Sequence, residues 1–226
     1  MKKLSIAFAL IFLAACGASK PSIKPSEASM DRLTSATKIW GHHVIHELPV
    51  NWKVIDSSQK GNMFTQLYLP ANKTGANWDR NFQITGVKFN VSDNVDLRKN
   101  ALKGIIQSQM YMVGSQCRKN KISLDLGEKD LGMEVVGYHA ILGCKNTEKD
   151  LPRMGLKKGM SEVAYLYGIS TGQDLYLFQS SLRGDGLHLN DVKIKERIRE
   201  SVQDFFPMSL CPVGKGAESC LSVPNP

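Results

Sequence analysis

The chain lacks most of the short signatures that announce a chemistry. Neither G-x-x-x-x-G-K-[ST] nor G-x-G-x-x-G occurs, so no phosphate-cradling loop is present and no nucleotide cofactor is implied. No C-x-x-C pair occurs, which argues against a thioredoxin-type redox centre and against a zinc site built from the cysteines. No block of five like charges appears, and basic residues interleave with Asp and Glu. The formal net charge of +8 therefore reads as a solvated surface, not a nucleic-acid footprint. No repeat is visible at the period of a solenoid or propeller. Long apolar runs are also missing, except for Leu4 to Ala15, which is too short to span a bilayer.

That single run has a defined form. Met1-Lys2-Lys3 supplies the basic start and Leu4 to Ala15 the apolar stretch of a secretory leader. It closes on Leu13-Ala14-Ala15-Cys16, which resembles the lipobox of bacterial lipoprotein precursors at all four positions. The resemblance implies that residues 1–15 are a removed signal peptide. Cys16 then carries two acyl chains on sulfur and one, commonly palmitate, on nitrogen. One buried chain holds a protein only marginally, and more than one holds it firmly. Gly17, where an aspartate would retain the protein at the inner membrane, resembles the pattern sorted to a Gram-negative outer membrane. The implied location is the outer membrane, lipid-anchored, with the domain in the periplasm.

With Cys16 assigned to lipid, Cys117, Cys144, Cys211 and Cys220 remain as an even set in an oxidising compartment. Two disulfides are expected. Four cysteines allow three connectivities, and local pairing of Cys117 with Cys144 and of Cys211 with Cys220 is preferred. Loops of about 28 and about 10 residues would contribute roughly 3.5 and 2.7 kcal/mol through closure entropy.

Residues 16–38, containing GASKPSIKPSEAS, have the composition of a flexible tether. A globular domain is expected over 39–210 and a disulfide-closed tail over 211–226. Strand-like windows are IWGHHVIHELPVNW, NMFTQLYLP, NFQITGVKFNV, KISLDLG, MEVVGYHAILGC, SEVAYLYGI and DLYLFQSSLRG. Short connections between them predict antiparallel pairs, with STGQ as one hairpin turn. SDNVDLRKNALKGIIQSQMYMVG reads as a helix capped by Asp93, with Leu97, Ala101 and Ile105 beside Leu102, Ile106, Met110 and Val113, ending at Gly114. DVKIKERIRESVQDFF reads as a second helix, with Ile194, Ile198, Val202 and Phe205 at helical spacing, stopped by Pro207. The predicted fold class is α+β, a twisted, mainly antiparallel sheet of about seven strands covered by two helices.

This order of LPVNW, YLPANKTGANWDRNFQITGVKF, helix, cysteine-flanked hairpin, last hairpin and terminal helix resembles bacterial envelope proteins of the PsbP-like fold. The resemblance runs from Ile39 to Phe206 by pattern and rests on the surroundings of Trp52 and Trp78 by residues. It implies an antiparallel sheet sandwiched by helices and a small binding or assembly factor. It carries over no functional residue.

The densest cluster of metal-ligating side chains is GHHVIHE. On a helix, His42 and His46 would lie one turn apart and could share a metal with Glu47 nearby, but the order matches neither H-E-x-x-H nor H-x-x-E-H. On a strand they sit roughly 13 Å apart on one face. The β-branched neighbours favour the strand, so no metal site is predicted; His43 and Glu47 take the other face. GISTG fits G-x-S-x-G around Ser170, with Asp185 and His188 following in triad order, yet a strand follows the serine where the elbow requires a helix. Cys117 and Cys144 read as structural, and His139, beside Tyr138, as a sheet histidine. Tyr165, Tyr167, Tyr176 and Phe178 read as sheet core.

The candidate contact residues are Lys193 and Arg197 on the last helix, near Lys195, Arg199, Lys157 and Lys158, and Trp78 in the loop ANKTGANWDR. The function these features favour is a lipid-anchored binding or assembly factor for another envelope protein or a glycan, held to the membrane through its N-terminal lipid and needing no cofactor. The alternative is a small periplasmic hydrolase using Ser170 or a histidine-bound metal.

Overall fold

Val163, Tyr165, Tyr167 and Ile169 alternate along the chain with Ala164 and Leu166, and both sets are buried. A strand buried on both faces must lie between two layers. This is the strand β8 (Met160–Thr171), near the middle of a seven-stranded sheet. Its companions are β3 (Trp52–Lys60), β4 (Met63–Pro70), β5 (Arg80–Lys88), β6 (Ile122–Asp130), β7 (Val136–Cys144) and β9 (Asp174–Asp185). Their order is β3-β4-β5-β9-β8-β7-β6, every pair antiparallel. The computed structural model describes residues 31–89, 94–116, 122–130, 136–144, 158–172, 174–187 and 190–225.

Helix α1 (Val95–Gln116) covers one face of this sheet. Leu102 and Ile106 meet Tyr138, Ala140, Leu142, Ala164, Leu166 and Leu177 there. The approach is close at Gly168, where an added Cβ would come within 2.6 Å of the Leu102 side chain. Asn94 caps the helix, its side-chain Oδ1 accepting from the backbone N–H groups of Asp96 and Leu97 at 2.9 and 3.2 Å. The expected cap, Asp93, lies outside the described residues. The helix also runs past Gly114, and Leu97, placed on the apolar stripe by its spacing, is 51% exposed.

The other face is covered by helix α2 (Val192–Gln203) and by a second, four-stranded sheet of order β1-β2-β10-β11. Its strands are β1 (Arg32–Ile39), β2 (His42–Pro49), β10 (Met208–Pro212) and β11 (Leu221–Val223). Asp191 caps α2 through the Lys193 N–H, and Ile198, Val202 and Phe205 enter the larger core with Ile194 beside them, as their spacing predicts. That core also takes Ile39 and Val44 from β1 and β2, Met208 and Leu210 from β10, and Tyr165, Tyr167, Tyr176 and Phe178 from the large sheet.

The fold class is therefore α+β and mainly antiparallel. Four features of its arrangement differ from the expectation. The strand holding the histidines leaves the large sheet for the small one, and β3, not expected, takes a place at the large sheet's edge. β1 occupies residues assigned to the tether, and β10 and β11 draw the C-terminal tail into the small sheet. β1, β3, β10 and β11 are short, polar or exposed, and carry little period-two apolar signal.

Candidate functional site

Residues His42, Val44 and His46 of β2 point from the small sheet onto the large one, because alternate residues share a face. His46 is fully buried. Its Nδ1 lies 2.8 Å from the Glu47 carbonyl, which can only accept, so Nδ1 carries the proton and Nε2 accepts from the Tyr68 hydroxyl at 3.0 Å. The imidazole also meets the Tyr68 ring edge-on at a centroid distance of 5.2 Å and the Phe82 ring at 5.6 Å. Desolvation pushes its pKa down, opposed by the Glu47 carbonyl and carboxylate.

His42 sits at the opposite end of the strand in a second polar cluster. Its Nδ1 is 2.8 Å from the Tyr176 hydroxyl and 3.6 Å from Asp174 Oδ2. The Tyr176 hydroxyl is also 3.2 Å from the Ile39 carbonyl and 3.4 Å from Asp174 Oδ2. One hydroxyl proton serves one acceptor at a time, so the arrangement that satisfies Ile39 has His42 Nδ1–H donating to the tyrosine oxygen. Nε2 of His42 is then left as an acceptor. Asp174 is buried, and its Oδ2 also accepts the Gly41 N–H at 3.3 Å. Burial lowers the His42 pKa against the pull of Asp174 and, with that carboxylate, drives the Tyr176 pKa up. Tyr176 stays a neutral hydroxyl.

The turn carrying His42 is strained. Ile39 pairs with His42, leaving Trp40 and Gly41 as a two-residue loop in which Trp40 has φ of 51°. A bulky residue seldom adopts that conformation, and glycine usually takes it in hairpins. It is held by contacts on each side. The Gly41 carbonyl accepts from Val213 N–H at 2.9 Å, and the Trp40 and Ile39 side chains lie over Gly86, where a Cβ would fall 2.3 Å from Ile39 Cγ2. The hairpin tip is thereby locked onto the end of the large sheet.

The serine constellation is not brought together. Ser170 lies within β8, buried, its hydroxyl without a hydrogen-bond partner among the described residues. Its register partner is Leu175, whereas Asp185 pairs with Met160 at the other end of the same hairpin. Ten strand positions separate them, about 33 Å. His188 lies outside the described residues. GISTG is thus the end of a strand, followed by a turn at Gly172 with φ of 59°. His42 and His46 are likewise anchored separately, and no group of three metal-ligating side chains converges among the described residues. His43 and Glu47 face away from the seam, and Glu47 Oε1 accepts from the Thr34 hydroxyl at 3.3 Å. His139 stacks parallel to Tyr165 at 6.1 Å.

Lys193 and Arg197 are exposed on α2, and Lys195 and Arg199 are partly buried. Lys158 is exposed and Lys157 lies outside the described residues. Trp78 is not an open contact residue. It is 8% exposed, and the Arg183 guanidinium lies 3.5 Å from its ring centroid. Arg183 also donates to Glu162 Oε2 at 2.7 Å, and burial raises the Glu162 pKa against the pull of that guanidinium. Cys211 and Cys220 form a disulfide. Cys144 is buried and disulfide-bonded, while Cys117 and Cys16 lie outside the described residues. Sequence reasoning missed Asp174, Tyr68 and Arg183. Asp174 bonds Gly41 across 133 positions, and no local pattern encodes such a pairing.

No helix among the described residues is long and apolar enough to cross a membrane. The sequence matches no protein-family profile and no curated protein. Among solved structures, one of a point mutant of the protein Mog1 is similar over 77% of this chain and 95% of its own, at 9% identity and a TM-score of 0.44. That likeness is too distant to assign a function.

Proposed function

We propose that this protein is a lipid-anchored domain of the bacterial envelope that binds or helps assemble another envelope component, a protein or a glycan. The observation that carries the reading is Leu13-Ala14-Ala15-Cys16 directly after a basic and apolar leader. The described domain supports it in two ways. His42, His46 and the buried Asp174 are bonded within the seam between the sheets, and the basic side chains of Lys193 and Arg197 stand free of that seam on α2. Glu196 and Glu200 are exposed on the same helix, so this surface offers charged groups of both signs to a polar partner.

Two measurements test the two halves of the proposal. The Cys16→Ser protein is expected to lose incorporated radiolabelled palmitate and leave the membrane fraction; retention of both would sink the anchor. Photo-crosslinking amino acids at Lys193 and Arg197 in living cells are expected to capture a discrete envelope partner. The same probe at the exposed Asp56 of β3 should not give that product, and identical products from all three positions would remove α2 as the contact face.

A further inference from the structure

The small sheet outruns the large one at the corner where the chain comes up from residue 31. On the inward face of β1, Ile39 is buried in the core and the Thr37 hydroxyl donates to Gln66 of β4 at 2.8 Å. Two and four positions further back on that face come Ser35 and Leu33. Leu33 is 55% exposed, because it lies beyond the large sheet's cover. Its register partner Leu48 is only partly buried, and two residues later Val50, bonded through its N–H to the Asp31 carbonyl at 3.0 Å, is 52% exposed. Val54, four residues on at the start of β3, is 44% exposed and shares a face with its register partner Tyr68. Leu33, Val50 and Val54 are thus left uncovered at one corner, with Lys53 and Asp31 exposed beside them, while the Arg32 guanidinium donates to the Phe206 carbonyl at 3.1 Å and lies 3.8 Å from Asp204.

We propose that this corner docks onto the bilayer that holds the Cys16 lipid, with Leu33 and Val50 reaching the boundary between headgroups and acyl chains. The inference rests on the lipid-anchor reading, and chain length selects the bilayer as the occupant. Asp31 lies fifteen positions after Cys16, a span of at most about 54 Å when fully extended. The corner is the part of the domain where that tether arrives, so it meets the membrane at a high effective concentration and a weak apolar contact suffices to hold it there. Exposed apolar side chains beside Lys53 suit the boundary between headgroups and acyl chains.

The test uses the mature lipidated protein reconstituted in vesicles of phosphatidylethanolamine and phosphatidylglycerol, with an environment-sensitive dansyl amino acid at Leu33, at Val50 or at Leu97 on α1. Brominated lipid should quench the probe at Leu33 and Val50 at least about twofold more strongly than at Leu97. The double variant Leu33→Asp with Val50→Asp, keeping its far-UV circular dichroism, should lose the quenching of a probe at Val54. If mass spectrometry shows the acyl chains in place yet the Leu33 and Val50 probes are quenched no more than the Leu97 probe, the docking is refuted and the anchor stands. Absence of the acyl chains refutes the anchor and the docking with it. Shielding of the same probes from aqueous acrylamide in lipid-free Cys16→Ser protein also overturns the proposal. It would assign the corner to the protein's own tether if the protein is monomeric by light scattering, or to a second copy if it is dimeric.

Discussion

At the scale of single residues the two seam histidines behave as structural groups with a pH signature. His46 has both ring nitrogens occupied by the Glu47 carbonyl and the Tyr68 hydroxyl, in a pocket of aromatic rings. Burial places its folded-state pKa below the unfolded value of 6.5. Below that value the unfolded chain takes up protons that the folded imidazole resists. Its share of stability is therefore complete above about pH 6.5 and is lost as pH falls toward the folded pKa. The unfolding free energy from urea titrations should decline between about pH 7 and pH 5, by up to about 1.4 kcal/mol per pH unit for His46. The His46→Gln variant should be less stable at neutral pH and should show a flatter decline; an unchanged slope would mean that another group is responsible. Both histidines were visible in GHHVIHE, and a shared strand face was the correct geometry for them. Their tyrosine partners were not visible, because side-chain pairing between sheets leaves no local trace.

At the scale of elements, the strands with strong alternation were legible and the weak ones were not. β8 and β9 announce themselves through SEVAYLYGI and DLYLFQSSLRG because both faces are buried and need β-branched and aromatic side chains. β3 sits at a sheet edge and carries KVIDSSQK, mostly exposed, so no core selects its residues. β10 and β11 are five and three residues long, and the bridge between Cys211 and Cys220, nine positions apart, closes the loop between them. Closing a loop of about 10 residues stabilises by roughly 2.7 kcal/mol through loss of unfolded-state entropy. The double variant Cys211→Ser with Cys220→Ser should lose up to that amount in chemical denaturation, with Met208 and Leu210 still holding β10 in the core. A loss well beyond it would show that the bridge also sets the native packing of the strand.

At the scale of the whole molecule, one core joins the small sheet, α2 and the inner face of the large sheet. Such a core should melt as a unit. Tryptophan fluorescence, which samples Trp40 at the β1–β2 tip, Trp52 on β3 and Trp78 in the loop after β4, should give the same urea midpoint as far-UV circular dichroism. Two separated transitions would mean that the small sheet unfolds independently of the large one. The sequence by itself determined the α+β class, the two helices and the strongly patterned strands, since these follow from periodicity and local capping along the chain. The lipobox is a reading of the same local kind. The tertiary structure alone decided that the histidine strand belongs to a second sheet, that Ser170 and Asp185 stand far apart, that Arg183 covers Trp78, and that Leu33 and Val50 are left bare at one corner. Each of these depends on which distant segments share a face, and that is set by how two sheets and two helices bury their apolar surfaces together, not by neighbours in the chain.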